Sequence, residues 1–262
     1  MIRSPMKVFR VSLAALVAVV AVLPAESAQA GDKSATYEGK PVAVGQGTAR
    51  TVVRTDAKGK PVSIGVILTA SALEGLPMGA DSAVHDIAYL LTMPTKAPKT
   101  VVEHVVLNWQ SAGHPPPGVY DVPHFDFHFY LVSRAEQMKV AFGSESESGD
   151  PSQQPPAELM PPGYIMPPGT AVSKMGAHAI DPASAEFNGK PFTVSLIYGY
   201  YNKRQTFIEP MVSLEFLNSK QAYSAPVPRP ERYSKAGAFP SSFNVKYDPG
   251  QTRYEVAFEG LR

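Results

Sequence analysis

The sequence predicts a mainly β protein: a single antiparallel barrel or sandwich-like domain with long proline-rich loops and little helix. Short segments rich in β-branched and aromatic residues recur between turn residues, as strands do. Proline accounts for 26 of 262 residues, about twice its average usage, and this many helix breakers argues against helical bundles and coiled coils. Hydrophobic residues make up 44% of the chain, which is enough to form a core.

Composition excludes several classes of protein and of functional site. Cysteine is absent, so disulfide scaffolds, thiolate zinc sites, iron–sulfur clusters and cysteine nucleophiles are excluded. A formal net charge of +1 argues against nucleic acid or an anionic membrane as the main partner. We expect a small molecule or a metal ion as the ligand, and the sequence leaves homo-oligomerisation open.

Residues 1–30 are predicted to be a cleaved signal peptide. Three basic residues precede an almost entirely apolar run from Val11 to Leu23, and Ala28-Gln29-Ala30 forms a small-x-small cleavage site. The alternative is a membrane anchor, but this run rises only about 20 Å as a helix, short of the roughly 30 Å hydrocarbon layer. We therefore expect an exported protein, periplasmic or extracellular, with no membrane span in the mature chain.

An arm and a hairpin are expected to begin the mature chain. Residues 31–46 are polar and contain glycine, which favours a flexible arm, and residues 47–262 are expected to form one β-rich domain. Thr48–Thr55 and Val62–Thr69 flank a Lys-Gly-Lys-Pro turn and predict two paired strands. Ser71–Leu76 is at most a short helix, because Pro77 follows it.

Three further strands are predicted before the middle of the chain. His85–Met93 and Thr100–Trp109 are apolar and bounded by turn residues; the second also fits a helical period, but its four valines favour a strand. Val122–Val132 is the strongest strand, since three phenylalanines and a tyrosine lie within seven residues, although a helix after Pro123 is the alternative. Arg134–Val140 is expected to be a helical turn.

A long loop and two hairpins complete the prediction. Residues 143–170 contain two Pro-Pro-Gly triplets and form either a loop over a functional face or a linker; the apolar residues among them favour the loop. Thr193–Tyr201 and Gln205–Phe216 predict a hairpin, and residues 222–240 are expected to be irregular. Residues 241–259 predict a C-terminal hairpin around an Asp-Pro-Gly turn.

The strongest strand carries the clearest candidate for chemistry. Side chains alternate along a strand, so His124, Asp126 and His128 share one face and three phenylalanines share the other. Imidazole and carboxylate groups together indicate a metal site or an acid–base site. The alternatives are a solvated sheet face or histidines whose hydrogen bonds are satisfied within the core.

Strand geometry limits how these residues can share an ion. Residues four apart on a strand are separated by roughly 13 Å, so His124 and His128 cannot easily meet at one ion on a regular strand. Either a bulge or twist brings them together, or Asp126 joins one of them at the ion and the other lies outside it. Both alternatives remain open, and further ligands must come from other segments.

Two residues elsewhere are candidate ligands. His178 lies among small residues that allow close backbone approach, and Glu209 is a carboxylate in an apolar strand, where it needs a partner. For Glu209 the alternative is an ion pair with Arg204 or Lys203, or exposure at an edge broken by proline. His114 is the first residue of a proline turn, so a role in capping that turn is favoured over binding an ion. If it lies near the metal site, it is a candidate to hydrogen-bond a metal ligand without binding the ion itself.

Four of these motifs resemble a known family. In order they are His114-Pro115-Pro116-Pro117-Gly118, His124-Phe125-Asp126-Phe127-His128-Phe129-Tyr130, Met175-Gly176-Ala177-His178 and Glu209-Pro210-Met211. They resemble an uncharacterised domain-of-unknown-function family of exported bacterial β-rich proteins, whose structural representative comes from a thermophile and is controlled by sigma-E. The resemblance covers about residues 60–217. It implies a β-rich fold and convergence of the motifs on one site, but no substrate.

Three hypotheses of function follow. The first is metal or small-ligand binding in the cell envelope, with Zn, Mn, Fe, Ni and Cu not distinguishable from the sequence. The second is a cupin-like or carbonic-anhydrase-like metalloenzyme, in which Asp126 or Glu209 would act as the base. The third is a structural or assembly protein of the envelope.

Overall fold

Two antiparallel β-sheets make up the fold in the computed structural model, which describes residues 1–2, 34–79 and 86–262. The strands, in chain order, are β1 (Thr36–Glu38), β2 (Val42–Val44), β3 (Gly47–Thr55), β4 (Pro61–Thr69), β5 (Asp86–Thr92), β6 (His104–Gln110), β7 (His124–Tyr130), β8 (Ala171–Val172), β9 (Gly176–Ala179), β10 (Val194–Tyr201), β11 (Arg204–Ser213), β12 (Tyr223–Pro226), β13 (Ser242–Asp248) and β14 (Arg253–Glu259).

The strand order places the candidate site near the middle of one sheet. The first sheet has the order β1-β3-β4-β14-β13-β12, with β2 also paired to β3. The second sheet has the order β5-β6-β7-β11-β10-β9-β8. Strand β7, which holds the histidine–aspartate row, is therefore hydrogen-bonded on both sides, by β6 and by β11. A strand in this position gives its side chains a rigid frame.

The two sheets enclose a shared apolar core. Phe125, Phe127 and Phe129 on β7 are fully buried and belong to one cluster with side chains of the first sheet. The ring of Phe129 lies 4.8 Å from that of Phe258 on β14, measured between centroids. The predicted mainly β fold with sandwich-like packing and little helix is confirmed. The polar face of β7 is turned away from this core, because adjacent side chains on a strand point in opposite directions.

Helices in the described residues are short. They are α1 (Arg134–Gln137), which begins with a capping box between Ser133 and Glu136, and α2 (Leu214–Ser219). Four 3₁₀ turns add to them: Ala70–Leu73, Glu145–Gly149, Ala157–Leu159 and Ala185–Asn188. No helix among the described residues has the length and hydropathy that a membrane span requires.

The 143–170 segment lies against the second sheet as a packed loop. Tyr164 donates a hydrogen bond to the carbonyl of Leu196 on β10 at 2.7 Å. Ile165 forms an isolated bridge with Ile180, just after β9. Ser148 donates to the carbonyl of Pro167 and thereby holds the segment's ends together. These contacts are those of a loop over one face of a sheet rather than of a linker.

Two expectations about irregular segments need correction. The segment expected to be a flexible arm contains β1 and β2, which pair with β3 and so satisfy their backbone groups in the sheet. The segment expected to be irregular from residue 222 starts with the edge strand β12, where Pro226 is tolerated because an edge leaves one side unpaired. The predicted signal peptide, residues 1–30, lies outside the described residues except for residues 1–2.

Candidate metal centre

The polar face of β7 is fully buried. His124, Asp126 and His128 have relative exposures of 0%, 1% and 1%. A solvated sheet face, one of the alternatives for this row, is therefore wrong. Three buried ionisable groups on one strand need partners, because an unpaired polar group in the interior costs roughly 1–3 kcal/mol or more.

Strand β11 brings Glu209 next to His128. Its pairing joins Ile208 to Phe129 and Met211 to Asp126, so Glu209 lies beside His128 on the polar face. Glu209 is 1% exposed. In the described part of the chain its Oε2 lies near the imidazoles of His128 and His178, and it has no ion pair with Arg204 or Lys203. The ion-pair alternative for Glu209 therefore does not hold.

His178 reaches the same point from β9. It pairs with Gly199 on β10, and Gly199 in turn pairs with Phe207 on β11. The ring of Phe207 lies over Gly199, since a Cβ at this position would be only 2.2–2.5 Å from three ring atoms. That ring also contacts the imidazoles of His128 and His178, with centroids 4.7 and 5.3 Å away. The glycine thus makes room for the aromatic residue that orients both histidines.

A Gly199→Ala substitution tests this arrangement. The added Cβ must push the Phe207 ring against the two histidines, so we expect a loss of about 1–3 kcal/mol in stability. Chemical denaturation measures the change. Gly250→Ala, in an exposed turn, is the control; equal stabilities of the two variants would contradict this role of Gly199.

The first cluster, which we call the Glu209 group, consists of His128, His178 and Glu209. The Oε2 atom of Glu209 lies 3.3 Å from Nε2 of His128 and 3.9 Å from Nε2 of His178. One ligand atom from each of the three residues falls within 4.8 Å of the others. Ligand atoms at about 2.1 Å from a tetrahedral ion are about 3.4 Å apart, so this spacing fits one ion.

Hydrogen bonding leaves the ligand atoms of the Glu209 group free. Nδ1 of His178 lies 2.8 Å from the carbonyl oxygen of Thr170, which can only accept, so Nδ1 carries the proton and Nε2 a lone pair. Metal-binding histidines commonly donate their other ring N–H to a carbonyl, as His178 does to Thr170. Among the described residues, the two ring nitrogens of His128 and Oε2 of Glu209 have no hydrogen-bond partner.

The second cluster, which we call the Asp126 group, consists of His114, His124 and Asp126. Nε2 of His124 is 3.0 Å from Oδ1 of Asp126, and Nε2 of His114 is 3.8 Å from Oδ2. Gln110 on β6 donates a hydrogen bond to Oδ2 at 3.1 Å. His124 and His128 therefore belong to different clusters, and Asp126 belongs to the cluster of His124.

Burial sets the charge of the Glu209 group. It lowers the pKa of His128 to about 3 and that of His178 to about 4, so both imidazoles are neutral near pH 7. Burial, with the negative charges of Asp126 and Asp86, raises the pKa of Glu209 well above its ordinary value. Neutral imidazoles are the form that binds metal ions.

The Asp126 group is charged differently. Burial acts to raise the pKa of Asp126, but the charges and hydrogen bonds of His124 and His114 lower it well below its ordinary value. The carboxylate is therefore ionised at neutral pH. An ionised carboxylate is a ready ligand for a divalent cation.

Both groups open into one pocket of about 300 Å³ on the polar face of the second sheet. The proline turn after His114 and the segment around β8 and β9 contribute to its walls. The described lining residues include no lysine or arginine. Four of them are acidic: Asp86, Asp126, Glu145 and Glu209. The pocket therefore favours cations, and its volume admits a small molecule next to the ligand atoms.

The remaining candidates have clear places. His114 bonds the carbonyl of Pro115 through Nδ1, as a turn residue does, while its Nε2 faces Asp126. His104 stacks on Tyr130 and bonds Gln137, and it belongs to neither group. Sequence reasoning missed Gln110, whose place on β6 opposite His124 follows from the pairing of β6 with β7.

Comparison with known proteins gives one match. The family model of the TTHB210-like proteins, described as hypothetical protein TTHB210, matches residues 56–109, which run from the turn before β4 into β6. No curated protein and no solved structure matches the chain. Over these residues the chain is similar to an uncharacterised protein family.

Proposed function

We propose that this chain is an exported protein that binds a divalent transition-metal ion through His128, His178 and Glu209. The observation that carries the proposal is the convergence of three ligand atoms, in which Oε2 of Glu209 lies 3.3 Å from Nε2 of His128 and 3.9 Å from Nε2 of His178. The atoms of His128 and Glu209 are buried and have no hydrogen-bond partner in the described residues. Left unpartnered, such atoms destabilise the fold. A bound cation satisfies all three at once.

The ligand set indicates the class of ion. Two imidazole nitrogens and one carboxylate oxygen suit Zn²⁺, Mn²⁺, Fe²⁺, Ni²⁺ and Cu²⁺, and they do not suit Mg²⁺ or Ca²⁺, which prefer oxygen ligands alone. Three protein ligands next to a pocket leave a coordination position for water or a small molecule. That position is what the metalloenzyme hypothesis requires.

Export is part of the proposal and is supported by the order of charged, apolar and small residues in residues 1–30. Expression of the full chain in a bacterial host, followed by cell fractionation and N-terminal sequencing, tests it. A periplasmic or secreted product beginning at Gly31 is the expected result. A cytoplasmic product that retains its N-terminus would overturn this part.

Metal analysis tests the binding proposal. Residues 31–262, dialysed against zinc and measured by elemental analysis, are expected to lose one equivalent per chain when His178 is replaced with alanine. The matched control is His104→Ala, since His104 is a buried histidine outside both groups and its loss is expected to leave the bound zinc unchanged. Equal zinc content in the wild type and His178→Ala would contradict the proposal.

Metal binding is expected to release protons from the Glu209 group, and this release is expected to fall as the pH rises. Burial raises the pKa of Glu209, so its carboxyl group holds a proton more readily than an ordinary carboxyl group and gives it up to the ion, whereas the neutral imidazoles of His128 and His178 bind without losing one. Zinc titrations in two buffers of different ionisation enthalpy measure the release. A value that is the same in Glu209→Gln as in the wild type would refute this assignment of the proton.

A further inference from the structure

We propose that the Asp126 group is a second metal site, which binds a second divalent ion in the same pocket. This goes beyond the proposed function, because it concerns different residues and a separate ion. Nε2 of His124 and Oδ1 of Asp126 are buried and 3.0 Å apart, yet they do not have hydrogen-bond geometry and have no other partner among the described residues. A cation held by both would give each of these atoms a partner.

The orientation of the His124 ring supports a cation between these atoms. Nδ1 of His124 lies 2.7 Å from the carbonyl oxygen of Val122 and donates to it, so Nε2 is the nitrogen that faces Asp126. Gln110 occupies the other oxygen, Oδ2, which leaves Oδ1 for the ion.

His114 completes the set from a well-defined turn. Its Nδ1 bonds the carbonyl of Pro115 at 2.8 Å, so Nε2 is the free nitrogen. The backbone N–H of His114 bonds the carbonyl of Tyr120 at 3.1 Å, which closes the turn. Gly113 precedes it with φ +74°, where a Cβ would lie 2.0 Å from the Tyr120 oxygen, so only glycine fits. The side chain of His114 is 30% exposed, which makes this the more accessible site.

The composition of the pocket walls favours more than one cation. The described lining residues include four acidic side chains and no lysine or arginine. Asp126 and His128 are two apart on β7, which separates their backbones by roughly 6.7 Å, so the ions occupy neighbouring positions. We expect the accessible ion to exchange faster than the ion of the Glu209 group.

Zinc stoichiometry at saturation tests the second site. Residues 31–262 are equilibrated with zinc by dialysis and analysed for metal, with circular dichroism to confirm folding. The wild type is expected to bind two equivalents, and Asp126→Asn one. Asp126→Asn keeps the size of the buried side chain. His114→Ala, which alters a partly exposed residue, is expected to weaken the second equivalent at least 10-fold without changing the first. His104→Ala, the control, is expected to bind two.

The outcomes separate this inference from the proposed function. One equivalent in the wild type that survives Asp126→Asn but is lost in His178→Ala would overturn the second site and leave the proposed function standing. One equivalent lost in both variants would mean a single shared ion and would also overturn it. Two equivalents, with one removed by each variant, support it. No bound zinc at all would overturn both proposals.

Discussion

Replacing Glu209 with glutamine is expected to remove the thermal stabilisation that metal gives through the Glu209 group, and to leave the metal-free protein at least as stable as the wild type. The side chain of Glu209 is buried, and its Oε2 has no hydrogen bond in the described residues. Replacing it with the neutral glutamine therefore removes no hydrogen bond of Oε2 from the metal-free fold. The ion, however, loses its one anionic ligand in this group. A structural role for Glu209 would produce the opposite pattern.

The expected size is measurable by thermal unfolding. Zinc at 100 times its Kd for the Glu209 group adds about 2.7 kcal/mol of stability through that group, which is about 5–11 °C for a chain of this length. Glu186→Gln is the matched control: Glu186 is also buried, but its Oε1 accepts hydrogen bonds from Ser195 and Tyr120, outside both metal groups. It should keep the zinc-induced increase. A full increase in Glu209→Gln would contradict the ligand role.

Replacing Phe129 with alanine is expected to destabilise the fold by about 3–5 kcal/mol, the range for a large aromatic removed from a core. Phe129 is fully buried and contacts Phe258 of the first sheet, so its loss leaves a cavity where the two sheets meet. Chemical denaturation measures the change. The zinc content should be retained at temperatures where the protein is folded, because Phe129 lies on the other face of β7 from the ligands.

Leu90→Ala is the control for this prediction. Leu90 is 41% exposed on the edge strand β5, and its loss should change stability by no more than about 0.5 kcal/mol. Similar values for the two variants would contradict the packing of the sheets through the phenylalanine face.

Local sequence patterns predicted the fold class and the two faces of β7. Strand alternation is a property of the backbone itself, so Phe125, Phe127 and Phe129 could be placed together without knowledge of the rest of the chain. The sheet order could not be predicted, because the neighbours of β7 come from distant segments. Strands β1 and β2 were missed because three-residue strands in polar surroundings carry little periodicity.

The candidate ligands were recognisable by residue type, but their grouping was not. Glu209 stood out as a carboxylate in an apolar strand, and its neighbour His128 follows only from the β7–β11 pairing. The division into two groups depends on the turn that carries His114 across to Asp126. Gly199 had a readable signal, since a glycine between tyrosines in a strand indicates close approach of another group.

Anomalous diffraction at the zinc absorption edge tests the central claim most directly. Crystals of residues 31–262 grown with zinc are expected to show a peak about 2.0–2.2 Å from Nε2 of His128, Nε2 of His178 and a carboxylate oxygen of Glu209. Anomalous peaks confined to surface side chains, with none at coordination distance from these three atoms, would contradict the account.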